Sequence, residues 1–136
     1  MPATEEDFEL RGPLQAEVMA ALWKLGEATV DDVRSRQGGA KRKSYTTVQT
    51  VLNRLFERGL VDRERRGKPY VYRPKYEQSE LLARSIRRRL ADASAESRRQ
   101  ALLGLVEPLA ADDLDDLVRY VRELKKRRRA GGRGGP

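Results

Sequence analysis

The stretch that decides the fold runs from Ala40 to Pro74 and reads AKRKSYTTVQTVLNRLFERGLVDRERRGKPYVYRP. Its first half carries an apolar stripe at helical spacing, and Ser44 and Gly59 are suitable residues to cap and to end a helix. The stripe consists of Val48, Val51, Leu52 and Leu55. The second half places β-favouring residues on both sides of an Arg66-Gly67 turn. The stretch therefore predicts a helix followed by a two-stranded hairpin.

Two shorter helices are predicted upstream of this stretch. The segment GPLQAEVMAALWKLG, residues 12–26, has Pro13 at a first helical position and Gly26 as its stop. In the next segment, TVDDVRSR, Thr29 is a candidate N-cap and Asp32 follows it at capping-box spacing. Three short helices followed by a hairpin predict a winged helix, a helix-turn-helix fold whose third helix enters the major groove of DNA.

The positive charge of the chain is confined to the same region. Residues 41–75 hold eleven Lys and Arg against three acids, so this segment alone carries +8, which equals the net charge of the whole chain. A charge run is commonly only a solvated surface, but an excess confined to about a quarter of the residues favours a polyanionic partner. We expect nucleic acid rather than a membrane, because no basic helix here has a lipid-seeking aromatic face.

The composition excludes several classes of site. The 136 residues include no Cys and no His, so thiolate and imidazole metal ligands, Cys nucleophiles and His general bases are excluded together. We expect no metal, no cofactor and no enzymatic activity. The first ten residues, MPATEEDFEL, are acidic and polar, and no window of the sequence reaches transmembrane length. These features predict a cytoplasmic protein.

The third predicted helix has a polar side suited to reading DNA bases. Opposite the apolar stripe lie Thr46, Thr50, Asn53 and Glu57, flanked by Thr47, Gln49 and Arg54. Threonine hydroxyls and methyls suit base edges, Gln49 can pair bidentately with adenine, and Arg54 can reach phosphate or guanine. Any one of these residues alone is more simply a solvated surface residue, and the adjoining basic run is what favours base readout. For Tyr70, Tyr72 and Trp23 we expect packing roles instead.

The rest of the chain predicts three amphipathic helices, in YEQSELLARSIRRRLADAS, AESRRQALLGLVEPL and DDLDDLVRYVRELKKRRR. A fragment of about fifty residues has too little core to stand alone, so we expect these helices to dimerise with a second copy. The alternative is that they fold back on the winged helix of their own chain. The predicted dimerisation residues are Leu82, Ile86, Leu90, Leu102, Leu105, Leu114, Leu117, Val118 and Val121.

The predicted fold class is therefore mainly α with a small β-hairpin. A winged-helix DNA-binding domain is expected over residues 10–75, and a three-helix dimerisation domain over residues 76–128. The last stretch is basic and rich in glycine, which predicts a disordered tail over residues 129–136.

Three segments resemble the BlaI/MecI/CopY family of penicillinase repressors. They are GPLQAEVMAALWKLGEATVDDV, SYTTVQTVLNRLFERGLVDRERRGKPYVYRP and DDLDDLVRYVREL. The combination of YTTV, the L-x-R-L-x-x-x-G-L run and the Y-x-Y-x-P end of the hairpin is quite specific. The resemblance runs from about Leu10 to Lys126. It implies a homodimeric winged-helix repressor on a pseudo-palindromic operator, with β-lactam or cell-stress response genes as candidates for control.

The resemblance also implies where the DNA contacts lie. The base-reading helix of the family falls on residues 44–58, and the hairpin tip, Arg66 to Lys68, corresponds to a contact with the DNA backbone. The full set of predicted DNA-binding residues is Lys41, Arg42, Lys43, Ser44, Tyr45, Thr46, Thr47, Gln49, Thr50, Arg54, Arg66 and Lys68.

Two departures from the family pattern concern how DNA is released. The copper-responsive branch carries C-terminal cysteines, and this chain has none, which argues against copper or zinc release. In the β-lactam branch, signalling from a membrane sensor leads to a cut at an Asn-Phe bond, and the matching bond here is Gly104-Leu105. A sensor-linked protease is thus a candidate partner, with Gly104 and Leu105 as the candidate cleavage site.

The sequence as a whole predicts a sequence-specific DNA-binding repressor that acts as a homodimer on a double-stranded operator. The competing hypothesis is a nonspecific DNA-organising protein, for which a basic tail and an arginine-rich hairpin would suffice. A repressor should prefer its operator over random DNA by roughly a thousandfold, whereas an architectural protein should show hardly any preference.

Overall fold

The computed structural model describes residues 8–131. The elements are α1 (Gly12–Leu25), α2 (Val30–Ser35), a 3-10 helix (Gly39–Lys41), α3 (Tyr45–Glu57), β1 (Val61–Arg65), β2 (Tyr70–Pro74), α4 (Gln78–Ala91), α5 (Ala95–Val106) and α6 (Ala111–Ala130). The predicted fold class is confirmed, since the chain is mainly helical and residues 12–74 show the helix-helix-helix-hairpin order of a winged helix.

The three N-terminal helices begin and end where the sequence predicts. Gly26, with φ of 83°, follows the last residue of α1. At the start of α2 the capping box is formed, because the Thr29 hydroxyl accepts from the Asp32 amide at 3.1 Å and the Asp32 carboxylate accepts from the Thr29 amide at 2.9 Å. The Ser44 hydroxyl caps α3 by accepting from the Thr47 amide at 3.1 Å. These caps satisfy backbone donors that a helix start leaves without a partner.

The hairpin is fixed to the helices through its second strand. Strands β1 and β2 pair antiparallel, with Val61 opposite Pro74 and Arg65 opposite Tyr70. On its other edge, β2 exchanges two backbone hydrogen bonds between Tyr72 and Ala28, of 2.8 and 2.9 Å. Tyr72 is only 1% exposed and belongs to the core. Its predicted packing role is therefore confirmed.

One core holds α1, α2, α3 and the hairpin together. Its fully buried side chains are Met19, Leu22, Leu52, Leu55, Leu60, Tyr72, Val18, Val33, Val48 and Val61. Leu81 of α4 joins this core at 3% exposure, and the Trp23 indole donates to the Tyr76 carbonyl at 3.0 Å.

The fold divides into two compact units between Arg89 and Leu90. Most of α4 therefore belongs to the N-terminal unit, because Leu81 needs the apolar surface of that core. The domain boundary predicted from the sequence, between residues 75 and 76, lies before α4.

The C-terminal unit contains α5 and α6, and no residue within these two helices is buried. Helix α6 runs to Ala130, so Arg129 and Ala130, the first two residues of the tail predicted over residues 129–136, are helical. Lys and Arg are good helix formers, and cations in a last turn interact favourably with the helix dipole. Residues 132–136 of the predicted tail lie outside the described part of the chain. Among residues 8–131, none of the helices has the length and apolar character needed to span a membrane.

Candidate nucleic-acid interface

Helix α3 has one buried and one exposed side. Its apolar stripe, Val48, Val51, Leu52 and Leu55, is buried against the core. The residues predicted to read bases, Thr46, Thr47, Gln49, Thr50 and Arg54, are all exposed. The structure thus brings the predicted base-reading residues together on one surface, which we call the α3 face.

The first turn of α3 is held rigid by its own cap. Besides accepting from the Thr47 amide, the Ser44 hydroxyl donates to the Thr47 hydroxyl at 2.9 Å. Thr47 keeps its own hydroxyl hydrogen for a further partner, because its oxygen acts only as an acceptor in this bond. Tyr45, beside them, is 42% exposed.

The basic run before α3, Lys41 to Lys43, is positioned by one residue of α2 and by one residue that follows α2. Gln37 is 3% exposed, and its side-chain oxygen accepts from the Lys43 amide at 2.9 Å. The Arg34 guanidinium donates to the Lys43 carbonyl at 3.0 Å. These bonds fix the backbone while the side chains of the run remain exposed. The role of Gln37 was not predicted, because a glutamine after a short helix gives no sequence signal for burial.

Asn53 does not belong to the exposed α3 face, which corrects the helical-wheel assignment. Its side-chain oxygen accepts from the Tyr72 hydroxyl at 2.8 Å and from Arg63 at 2.9 Å. The wheel treated this side of the helix as solvent, but the hairpin packs over it. Asn53 therefore joins α3 to the hairpin.

Arg63 completes this junction by stacking between two aromatic rings. Its guanidinium carbon lies 4.0 Å from the ring centre of Phe56 on α3 and 4.3 Å from that of Tyr70 on β2. Arg65 lies 4.5 Å from the same Tyr70 ring, and its hydrogen bond lowers the pKa of the Tyr70 hydroxyl. Such cation–π contacts orient the charged groups as well as stabilise them.

The two predicted contact residues at the hairpin tip differ in their surroundings. Arg66 forms ion pairs with Glu27 and Glu64, and this contact lowers the pKa of the Glu64 carboxyl. Lys68 is exposed, and the described residues form no ion pair with it. Of these two residues, Lys68 is thus the one that can contact a phosphate without competition from an acidic side chain.

A second arginine of the basic segment, besides Arg63, has a structural role. Arg58, at the end of α3, donates to the Gln15 side chain at 2.9 Å and also bonds to the Glu9 carbonyl. Both partners lie far from it in sequence, which explains why its role was not predicted. Its charge faces the N-terminal segment rather than the α3 face.

The predicted dimerisation residues lie on exposed or half-exposed surfaces. Leu82, Leu102, Leu105, Leu117, Val118 and Val121 are 40–59% exposed. Ile86, Leu90 and Leu114 are half-buried. Three further exposed apolar residues of α5 and α6, outside the predicted dimerisation set, are Leu103, Val106 and Tyr120. The bond between Gly104 and Leu105 lies within α5, on an exposed surface.

Comparison with known proteins gives consistent matches over most of the chain. The family model described as "Penicillinase repressor" matches residues 11–123. The chain is 37% identical over 116 residues to "Transcriptional regulator BlaI" of Mycobacterium tuberculosis, covering 84% of each protein. It is 25% identical over 120 residues to "Penicillinase repressor" of Bacillus licheniformis, covering 85% of this chain and 91% of that protein. Among solved structures, it is similar to the YusO protein of Bacillus subtilis, with a TM-score of 0.46 and 16% identity over 84% of this chain and 74% of that one.

Proposed function

The chain belongs to the penicillinase repressor family, and from this premise we propose that it represses transcription by binding a DNA operator in a sequence-specific manner. The observation that carries the proposal is the exposed α3 face, with an exposed basic run directly before it whose backbone is hydrogen-bonded to Arg34 and Gln37. This arrangement suits a helix that enters the major groove with its N-terminal turns first.

Two groups of residues contact different parts of the DNA. Gln49 and the threonines of the α3 face contact base edges and determine which sequence is bound. The basic run before α3 and Lys68 of the hairpin contact phosphates, which supply affinity for any sequence. The junction formed by Asn53, Arg63 and Tyr72 keeps the helix and the hairpin in one arrangement, so both groups reach the same stretch of DNA.

We further propose that the protein acts as a homodimer. Helices α5 and α6 have apolar residues that remain exposed in a single chain, and burying them against a second copy would remove them from water. One winged helix reads only a half-site, so pairing two of them adds affinity and specificity. The operator is then a pseudo-palindrome whose half-sites are spaced by about 10 bp or a multiple of it.

In the cell we propose a regulator without enzymatic activity, located in the cytoplasm, where bacterial chromosomal DNA lies. Release from the operator is proposed to involve a cut in α5 by a sensor-linked protease. This step would separate the winged helix from part of the dimerisation surface.

The proposal is tested by selection from a pool of random duplexes, followed by sequencing of the bound DNA. We expect an inverted repeat with two equivalent half-sites. Sedimentation of the full chain at micromolar concentration should show a dimer. A bound pool without any enriched sequence would refute sequence-specific repression, and a monomer would refute the dimer.

A further inference from the structure

The two sides of the hairpin carry different net charges. Residues that lie opposite each other in an antiparallel pair share a side, so Asp62 and Arg73 lie on one side together with Glu64. The other side carries Arg63 and Arg65, packed on aromatic rings and without an acid from either strand. Positive charge is thus balanced on one side only.

The balanced side includes a cluster of two acids and two arginines, which we call the Glu27 cluster: Glu27, Glu64, Arg66 and Arg73. Arg66 pairs with both acids. Arg73 lies 3.7 Å from the Glu27 carboxylate and 3.5 Å from the Glu64 carboxylate. The net charge of the cluster is zero, although it lies next to the hairpin tip.

Glu27 is not needed to keep the hairpin in place. The next residue, Ala28, forms the two backbone hydrogen bonds with Tyr72, and the Tyr72 side chain is buried and bonded to Asn53. The side chains of the cluster are 41–49% exposed, so water and salt screen their ion pairs. The position of Glu27 therefore matters more for the electric field near the DNA than for the fold.

We propose that Glu27 sets the affinity of this protein for DNA by competing with phosphate for Arg66. This inference rests on the proposed function and adds an acidic residue to the side chains that determine DNA affinity. While a carboxylate is paired with the Arg66 guanidinium, that guanidinium does not neutralise a phosphate, and the counterion at that phosphate is not released. The acid lowers affinity for operator and random DNA alike, so it sets the salt concentration at which the repressor leaves the DNA.

The test uses full-length Glu27→Gln and a fluorescein-labelled random duplex of about 30 bp, titrated by anisotropy over a range of salt concentrations. We expect binding about three- to eightfold tighter per subunit at about 0.1 M salt, and a slope of log K against log salt that is steeper by about 0.9 per subunit. Adding Arg66→Ala in the same background should remove the gain. Glu64→Gln should act in the same direction as Glu27→Gln.

The matched control is Glu80→Gln on α4, which makes the same change in charge. Glu80 also pairs with an arginine, at 3.4 Å, and is 44% exposed compared with 41% for Glu27. It should leave binding within about twofold of wild type, since exposed charges far from the DNA are screened. Unchanged or weaker binding by Glu27→Gln would overturn the proposal, whatever the result for Glu64→Gln. Failure of the proposed function would appear separately, as a wild-type protein without preference for any sequence.

Discussion

Replacing Asn53 by alanine separates the structural role of this residue from the base-reading role that its position on a helical wheel suggests. The Tyr72 hydroxyl, in a side chain that is 1% exposed, would lose its acceptor. A buried hydroxyl left without a partner costs about 1–3 kcal/mol, and alanine returns about 0.5 kcal/mol through its higher helix propensity. We therefore expect Asn53→Ala to lower the free energy of unfolding by about 0.5–2.5 kcal/mol.

The assay is urea unfolding followed by the fluorescence of Trp23, the only tryptophan in the chain, which packs on the winged-helix core. With a slope of about 1.5 kcal/mol per molar urea, the midpoint should fall by about 1 M. Tyr72→Phe removes the donor but leaves Asn53 bonded to Arg63, so it should cost less, about 0.5–1.5 kcal/mol. Thr50→Ala, on the exposed α3 face, should stay within about 0.5 kcal/mol of wild type. Unchanged stability of Asn53→Ala together with lost operator preference would refute the junction and identify Asn53 as a base reader.

Four further outcomes are expected. Gln49→Ala should weaken binding to the operator by about 1–3 kcal/mol and binding to random DNA only slightly, whereas the control Val51→Ala should lower the urea midpoint. Equal losses of binding free energy on both DNAs would show that Gln49 does not read bases. Lys68→Ala should weaken binding to every sequence and flatten the salt slope by about 0.9 per contact, and Arg66→Ala should have the smaller effect of the two. A chain that ends after Arg89 should remain folded and monomeric and should bind the operator much more weakly than the full chain. A chain that ends after Tyr76 should be less stable, because it lacks Leu81. Equal urea midpoints for the two truncated chains would contradict the role of α4. If β-lactam exposure induces cleavage, mass spectrometry should place the cut within residues 100–108, and a protease specific for Asn-Phe should leave the chain intact.

Local patterns were sufficient to predict the elements of the winged helix. The capping box of Thr29, the cap of Ser44 and the apolar stripe of α3 depend on spacings within a few residues, and all three are formed. The exposed positions of Gln49 and its neighbours follow directly from that stripe.

Contacts between distant parts of the chain could not be predicted in this way. Asn53 receives its hydrogen bonds from residues ten and more positions away, and Arg66 pairs with Glu27 across 39 positions. A helical wheel or a charge count treats such residues as solvated, because neither takes into account which residues of the hairpin contact the helices. The end of α6 was misjudged for a different reason, since the glycines after Ala130 favoured a tail from residue 129, whereas Arg129 and Ala130 are helical.

The ratio of affinities for a selected operator and a random duplex of the same length tests the central claim most directly. It is measured by competition titration of the full-length protein at about 0.15 M salt. Sequence-specific repression by the α3 face predicts a preference of roughly a thousandfold, and Gln49→Ala should reduce it while leaving binding to the random duplex unchanged. A ratio below about ten would contradict the account and indicate a protein that organises DNA without reading its sequence.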